Sequence, residues 1–250
     1  MKPRFSRAVL LSAIMLVFTV SMCWSQDEAN TEANNKDQSD IAKRIEASAR
    51  VLDEVMAIKD KAIPDKVMSG AKCIAVIPSY VRIAIGFGGS HGKGVATCRT
   101  ANGWSAPAPI TLTGGSFGFQ LGGEAVDLVL VVMDKHGMDQ LLASKFKIGG
   151  SVSGAAGPVG RDATADTNWK FNAEILSYSR ARGVFAGVDL SGTAITQDKD
   201  ETRLLYGKML PFTEILSGKV APPRAAHPLL AAVNKYYEQA KGEKPAHTGE

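Results

Sequence analysis

The chain has 250 residues, of which 45% are hydrophobic and 22% charged, and its formal net charge is +4. Basic side chains outnumber acidic ones by only 29 to 25, which is far short of the one-sided charge of nucleic-acid-binding proteins. No basic stretch alternates with stacking aromatic residues, so we exclude nucleic acid as a partner.

The first 25 residues are typical of a secretory signal peptide. Residues 8–20 form an apolar run that is too short to span a bilayer. The basic residues that precede this run are Lys2, Arg4 and Arg7. We therefore expect an exported protein of the periplasm or cell envelope, cleaved near Ser25. Lipidation at Cys23 is the alternative, although Met22 is bulky where lipidation sites carry a small residue.

Residues 26–40 are polar, rich in Asn and Asp, and lack large apolar side chains, which predicts a disordered linker. Roughly 200 residues follow, enough for one domain with a sizeable core. Cleavage near Ser25 leaves 26 basic and 25 acidic side chains, and from Ile41 onward the balance is 25 to 20. The folded part is therefore mildly cationic, which favours weak attraction to anionic surfaces.

Helical periodicity appears at both ends of this domain. Apolar residues recur at steps of three and four between Ile41 and Met56, which predicts an amphipathic helix that ends before Pro64. We expect its apolar stripe to pack on the domain; the alternative is a helix that lies on a membrane surface. Further helices are predicted over residues 64–69, 137–145, 201–206, 212–216 and from Pro228 to the residues before Gly242.

Between these ends the pattern has a period of two, as in strands. Predicted strands cover residues 73–77, 81–85, 95–98, 110–113, 117–121, 125–133 and 169–175, and residues 184–190 and 192–196 are predicted to form a hairpin. The glycines of residues 86–94 predict a second, tight hairpin. Strand runs flanked by terminal helices predict an α+β fold with a mostly antiparallel, Gly-rich curved sheet or barrel-like core.

Ser116 lies in a G-x-S-x-G sequence, the spelling of a hydrolase nucleophile elbow. An elbow requires a helix directly after the serine, whereas residues 117–121 alternate as in a strand. Catalysis would also need a histidine and an acid near the serine. The histidines, none of which the sequence places near Ser116, are His91, His136, His227 and His247. We therefore predict no catalytic residue and no enzyme, and a serine hydrolase is the third hypothesis.

Residues 86–94 also differ from a phosphate-binding P-loop, because Phe87 stands where the first Gly is needed and Gly94 where Ser or Thr is needed. Lys93, at the predicted hairpin tip, is a candidate contact for an anionic head group. Histidines and cysteines are too scattered for a metal site, so we predict neither metal nor cofactor. Cys73 and Cys98 are either a disulfide or two small buried side chains.

Six blocks, in order along the chain, resemble the SYLF family, the lipid-binding module also found beside an Src-homology-3 domain in yeast and animal actin-patch proteins. The blocks are AKCIAVIP (71–78), GWSAP (103–107), GFQLGGE (118–124), AAGPVGR (155–161), YSRARGVFAGVDLSG (178–192) and LYGK (205–208). The similarity covers about residues 41–218, which leaves residues 219–250 as a C-terminal helix and tail.

The resemblance implies a non-enzymatic module that binds phosphoinositides or other anionic lipids, with actin binding attributed to some eukaryotic members. In those relatives, membrane contact is ascribed to a basic, amphipathic surface near the N-terminal part of the module. The matching positions here are Lys43, Arg44, Arg50, Lys59, Lys61 and Lys66, with Lys72 close by. An exported protein does not meet cytosolic actin, so we expect a lipid surface as the partner. Docking to another envelope protein is the alternative.

Overall fold

The computed structural model describes residues 38, 40–58, 62–143, 145–159, 173–181, 184–188 and 190–242, with side chains at 84–87, 116–123, 184–185 and 187 left out. The predicted signal peptide, most of the predicted linker and residues 169–172 of a predicted strand lie outside this set, as do Lys59, Lys61 and His247. The chain divides into the units Met1–Asp40 and Ile41–Glu250, and the second contains the sheet.

The described residues form six α-helices and a mostly antiparallel, curled sheet with helices at both ends, which confirms the predicted α+β class. The helices are α1 (40–56), α2 (Asp65–Gly70), α3 (Lys135–Leu142), α4 (Lys199–Tyr206), α5 (Phe212–Ile215) and α6 (His227–Ala240), with a 3-10 turn at Arg224–Ala226. The strands are β1 (Cys73–Thr100), β2 (Gly103–Trp104), β3 (Ala108–Val132), β4 (Lys145–Lys147), β5 (Gly154–Ala156), β6 (Ile175–Ala181), β7 (Val184–Gly187) and β8 (Ala194–Gln197). None of the described helices has the length and apolar character that crossing a bilayer requires.

Strands β1 and β3 pair with each other from Cys73 opposite Val132 to Ala96 opposite Ala108. The sequence predicted six short strands here, because glycines and polar residues interrupt the alternation. In the structure, β1 and β3 instead continue as two long strands, and their pairing shifts register at two places, after Ile77 and after Ala84. The predicted tight hairpin at residues 86–94 is therefore wrong, since these residues lie inside β1.

One register shift is a bulge in which Pro78 and Ser79 face the single residue Asp127. Ser79 has a positive φ of 61°, a conformation that costs free energy in a residue with a side chain. Its N–H donates to Asp127 Oδ1 at 3.0 Å, so the backbone group that the bulge frees has a partner.

Strand β1 curls so strongly that its two ends lie side by side. The N–H of Arg99 donates to the carbonyl of Lys72 at 2.7 Å. Cys73 and Cys98 form a disulfide, with their Cα atoms 4.0 Å apart. A Cβ built on Gly94 would lie 2.3 Å from the carbonyl oxygen of Val76. Glycine is thus required at this point by the close approach of two backbone segments.

The flanking strands join the two ends of β3. Strand β6 pairs with its C-terminal part, β8 pairs with its N-terminal part, and β4 lies beyond β8. Strands β5 and β7 pair with β6, β5 in the parallel direction. The predicted hairpin of residues 184–190 with 192–196 is wrong, because β7 pairs with β6 while β8 pairs with β3 and β4.

Alternate residues of the sheet enter two hydrophobic clusters on opposite faces. Cys73, Ala75 and Ile77 belong to one cluster, which α5 and part of α3 complete. Ile74 and Val76 belong to the other, which is covered by α1, α2 and α6. This assignment confirms that the apolar stripe of α1 packs on the domain. The alternative, in which that stripe lies on a membrane, is excluded by its burial.

We expect Gly94→Ala to destabilise the domain by about 1–3 kcal/mol, because the new methyl group would meet the backbone of Val76 and Ile77 across the curl of β1. Gly115→Ala is the matched control, since a Cβ there has nothing within 4 Å. Urea unfolding of the two variants measures the difference. Equal midpoints for both would contradict the close packing of β1 against itself.

Candidate functional site

Part of the β1–β3 pair extends past the other strands. Pairing of β3 with β8 ends at Thr113, and pairing of β3 with β6 begins at Asp127. We call residues 81–90 of β1 and 114–125 of β3, which pair with each other in this interval, the ribbon extension.

The ribbon extension exposes two large apolar side chains. Val81 is 38% exposed and Ile83 56%, and among the described residues Val159 is the other large hydrophobic side chain with comparable exposure. Arg82 lies between them in sequence but on the opposite face of the strand, with its guanidinium 5.6 Å from the ring centre of Tyr80. Glu124 is the cross-strand neighbour of Arg82. Isolated exposed hydrophobics are ordinary, but two on one short strand segment beside a cation suit contact with an apolar or interfacial partner.

A partly buried hydrogen bond joins Tyr80 and Ser90 at the base of the ribbon extension. Tyr80, which is 1% exposed, donates its hydroxyl to Ser90 Oγ at 2.6 Å. A Cβ on Gly114 would lie 2.6 Å from the same Ser90 Oγ, so the three residues pack closely. The exposed residues therefore project from paired strands whose base is closely packed.

Lys93, predicted as a head-group contact at a hairpin tip, instead lies in β1 within a charge cluster. Its Nζ is 2.8 Å from Asp198 Oδ2 and 3.0 Å from Glu201 Oε1. Arg44 of α1 also donates to Glu201 Oε1. Thr111 Oγ1 donates to Asp198 Oδ2 at 3.0 Å. Both carboxylates are nearly buried, so the two cations compensate charges that would otherwise be costly to bury.

The pKa values of this charge cluster follow from burial and pairing. Burial favours the neutral acid of Asp198, but hydrogen bonds from the Glu201 N–H and from Lys93 outweigh it and lower the pKa. For Lys93, burial opposes the charged form, yet its bonds to Asp198 and Glu201 raise the pKa above 10.5. Both groups therefore stay charged at neutral pH.

The other predicted lipid-binding residues with described side chains lie on α1, on α2 and just before β1. Arg50 pairs with Glu46 at 2.6 Å on the exposed face of α1. Lys43 and Lys66 are exposed on α1 and α2, and Lys72 is half-buried just before β1. Their contact with lipid stays a prediction.

Helix α1 is held by its polar side chains as well as its apolar stripe. Arg180 of β6 lies 2.5 Å from Glu54 and 2.6 Å from Asp127. Tyr236 of α6 donates to Asp53 at 2.7 Å. Together with Arg44, these contacts join α1 to the sheet and to two other helices. Its acidic residues, which weaken a membrane-facing role, thus serve to attach the helix to the domain.

Ser116 lies within β3 opposite Gly88, and the strand continues to Val132. The helix that a nucleophile elbow requires does not follow it. Within the described ranges, no group of three or more His, Cys, Asp or Glu side chains is arranged to hold a metal ion. His136 contacts Glu174, and hydrogen bonding to that carboxylate raises the histidine pKa.

Sequence reasoning missed Val81 and Ile83 as surface residues. Their alternation along β1 matches that of the buried strand segment 73–77, and periodicity alone does not reveal which strand face another element covers. The glycines that follow at 86, 88 and 89 were the signal in the sequence. Glycine has no side chain, so such a stretch contributes little that could cover Val81 and Ile83.

We expect Asp198→Asn to lower the free energy of unfolding at pH 7 by about 1–2 kcal/mol, because it removes the ion pair while keeping an acceptor for the N-terminus of α4. The lowered pKa means that this stabilisation is present above the unfolded value near 3.8 and is lost as the pH falls through the folded value. Urea titrations from pH 7 to pH 2 should therefore show a smaller acid loss in the variant than in the wild type. Asp200→Asn, at a side chain 88% exposed, is the control; equal behaviour of the two variants would count against the charge cluster.

Comparison with known proteins gives the family. Residues 113–236 match the family described as Ysc84: Las17-binding protein actin regulator. An SH3 domain-containing protein of Schizosaccharomyces pombe is 34% identical over 189 residues, which cover 74% of this chain and 44% of the relative.

Two further relatives come from yeast and human. LAS seventeen-binding protein 3 of Saccharomyces cerevisiae is 35% identical over 176 residues, 68% of this chain and 38% of that protein. SH3 domain-containing YSC84-like protein 1 of Homo sapiens is 28% identical over 217 residues, 84% of this chain and 63% of that protein. The chain thus spans less than two thirds of the length of these relatives, and their names include no enzyme. The chain belongs to the Ysc84, or SYLF, family.

Proposed function

We propose that this domain is a non-enzymatic binding module that attaches to anionic membrane surfaces through the ribbon extension. The observation that carries the proposal is the exposure of Val81 and Ile83 on one face of the ribbon extension, with Arg82 on its opposite face. Apolar side chains gain free energy on entering the interfacial region of a bilayer, and a neighbouring cation is attracted to anionic head groups. The resemblance to a lipid-binding module supports the same conclusion.

Magnitudes favour a weak, reversible attachment. Val81 and Ile83 are already partly covered, so their transfer to lipid would contribute about 1 kcal/mol each. Arg82 would add about 1 kcal/mol near an anionic surface. A total of about 3 kcal/mol corresponds to weak binding. Stable attachment would therefore need the residues of the ribbon extension beyond Ile83, a second contact, or a lipid anchor.

The charge distribution limits the electrostatic contribution. Arg44, Arg50 and Lys93 each lie in an ion pair, so these three charges are compensated within the domain. We therefore expect a modest preference for anionic over neutral lipid, which weakens as salt rises because exposed charges are screened over about 8 Å at physiological ionic strength.

Export to the periplasm or cell envelope is part of the proposal. The N-terminal sequence supports it, and so does the disulfide between Cys73 and Cys98, because such bonds persist in oxidising compartments. The second candidate function is docking to a protein partner, which is favoured by the description of the family as Las17-binding. In an envelope location the partner would be another envelope protein rather than actin.

We expect the mature protein to sediment with anionic vesicles at low salt, and Ile83→Asp to weaken this binding at least fivefold, since about 1 kcal/mol of apolar transfer is lost and a negative charge is added. Val159→Asp is the control, because Val159 is an exposed apolar side chain, 38% against 56% for Ile83, that lies outside the ribbon extension. Vesicle titrations over a range of salt concentrations measure both effects.

Failure of the wild type to sediment with either anionic or neutral vesicles would refute membrane attachment. Equal binding by Ile83→Asp and the wild type would refute the assignment to the ribbon extension. A stoichiometric cross-link to one envelope protein, without vesicle binding, would support the docking function instead.

A further inference from the structure

The turn between β1 and β2 contains the dipeptide Asn102-Gly103, and no other asparagine of the chain is followed by glycine. Ala101, Asn102 and Gly103 are all exposed. Gly103 has a positive φ of 109°, and a Cβ built on it has nothing within 4 Å. The backbone nitrogen that follows the Asn102 side chain therefore lies on an open part of the surface, and residue 103 has no side chain to shield it.

The hydrogen bonds of this turn involve the backbone of Asn102 but not its side chain. The Asn102 N–H donates to Thr100 Oγ1 at 3.2 Å, and this hydroxyl donates to the Gly103 carbonyl at 2.9 Å. Within the described part of the chain, the side-chain amide of Asn102 has no hydrogen-bond partner. The amide can therefore change rotamer without breaking a hydrogen bond.

An asparagine in this setting is open to attack by the next backbone nitrogen, because the two groups are held together by the chain. The Gly103 nitrogen gives up its proton and bonds to Cγ of Asn102. The bond from Cγ to Nδ2 breaks, ammonia leaves with that proton, and a five-membered succinimide ring remains. No enzyme, cofactor or oxidant takes part in this step.

Water then opens the ring in one of two ways. Cleavage of the bond between Cγ and the Gly103 nitrogen gives aspartate, with the backbone as before. Cleavage of the bond between the backbone carbonyl carbon of residue 102 and the same nitrogen gives isoaspartate. In isoaspartate the chain runs through the former side chain and is one methylene longer. Both products carry a new carboxylate.

Asn234 is the matched comparison within the same protein. It is also exposed, but it lies in the middle of α6 and is followed by Lys235. The N–H of a residue inside a helix is bonded to the carbonyl four residues before it, and the backbone is fixed. The nitrogen that would attack the Asn234 side chain is therefore held in the helix, whereas that of Gly103 lies in a turn.

The β1–β2 turn leads directly into contacts with helix α6. Trp104 meets the ring of Tyr237 edge-on at 5.6 Å. Arg99, the cross-strand neighbour of Trp104, donates to the Tyr237 hydroxyl. An extra methylene between residues 102 and 103 breaks the pairing of Thr100 with Gly103 and displaces Trp104 from its position against Tyr237. Aspartate, by contrast, keeps the backbone length and adds only a charge.

We propose that Asn102 deamidates spontaneously in the folded protein, and that the isoaspartate form loosens helix α6 from β1 and β2. The modified fraction then grows with the age of the protein. The proposal does not rest on membrane attachment, because the turn lies outside the ribbon extension and water is the only other reactant.

Incubation of the folded mature protein at pH 6 and at pH 8, followed by peptide mapping with mass spectrometry, tests the modification. We expect Asn102 to convert at least tenfold faster than Asn234, with aspartate and isoaspartate as products. Conversion should be faster at pH 8, because the attack requires loss of the Gly103 N–H proton. Asn102→Gln keeps the amide but would need a larger ring, so its peptide should stay unmodified. Conversion at Asn102 no faster than at Asn234, or without isoaspartate, would overturn the proposal.

Hydrogen exchange of the α6 backbone amides tests the structural consequence. We expect at least fivefold faster exchange in the isoaspartate form than in the fresh protein, because local opening of the helix costs less free energy. Asn102→Asp, which has the charge without the extra methylene, should exchange like the fresh protein, and aged Asn102→Gln controls for other effects of incubation. Equal exchange in the isoaspartate form and the fresh protein would refute the loosening of α6, as would equally fast exchange in Asn102→Asp. Ile83→Asp should deamidate at the rate of the wild type, so this proposal and the proposed function fail separately.

Discussion

The close approach of β1 to itself is the constraint on which the rest of the structure depends. A strand of 28 residues would be far longer than a domain of this size if it were straight. Its curl brings Cys73 to Cys98 and leaves room only for hydrogen at Gly94. Strand β3 follows the same path, so its two ends become available to β6 and β8. The curled sheet then presents two faces, each covered by its own group of helices.

Polar contacts between distant parts of the chain complete this arrangement. Arg44 and Glu201 are 157 residues apart in sequence, yet their contact joins the first helix to the fourth. Lys93 and Thr111 bring the paired strands β1 and β3 to the same cluster. These interactions compensate the charges of Arg44 and Lys93 within the domain. The number of basic residues in the sequence is therefore a poor guide to surface binding by this domain. The side chains that remain exposed after the domain has packed are the better guide.

Sequence periodicity predicted the helices well, because each carries an amphipathic stripe that is a local property of the chain. It placed α1, α4, α5 and α6 within a few residues of their positions. Strands were harder, since a glycine inside a strand and a glycine in a turn look alike in sequence. The pairing of residues 184–187 with β6 depends on contacts far along the chain, so a local hairpin was the wrong inference. The sequence identified the basic residues Arg44 and Lys93 as candidates. It did not reveal that both pair with carboxylates at Asp198 and Glu201, because those residues are distant in sequence.

Helix α6 also bears on where the folding unit ends. Leu229, Val233 and Tyr236 lie in the same hydrophobic cluster as α1 and α2. The sequence blocks suggested that the family resemblance ends at about residue 218, before this helix, whereas the family match runs to residue 236. A protein shortened to those blocks would leave the outer face of the sheet and α2 uncovered to water, and such apolar surface promotes self-association. The family match, which runs to residue 236, accordingly includes most of this helix, and the helix is needed to cover the apolar face.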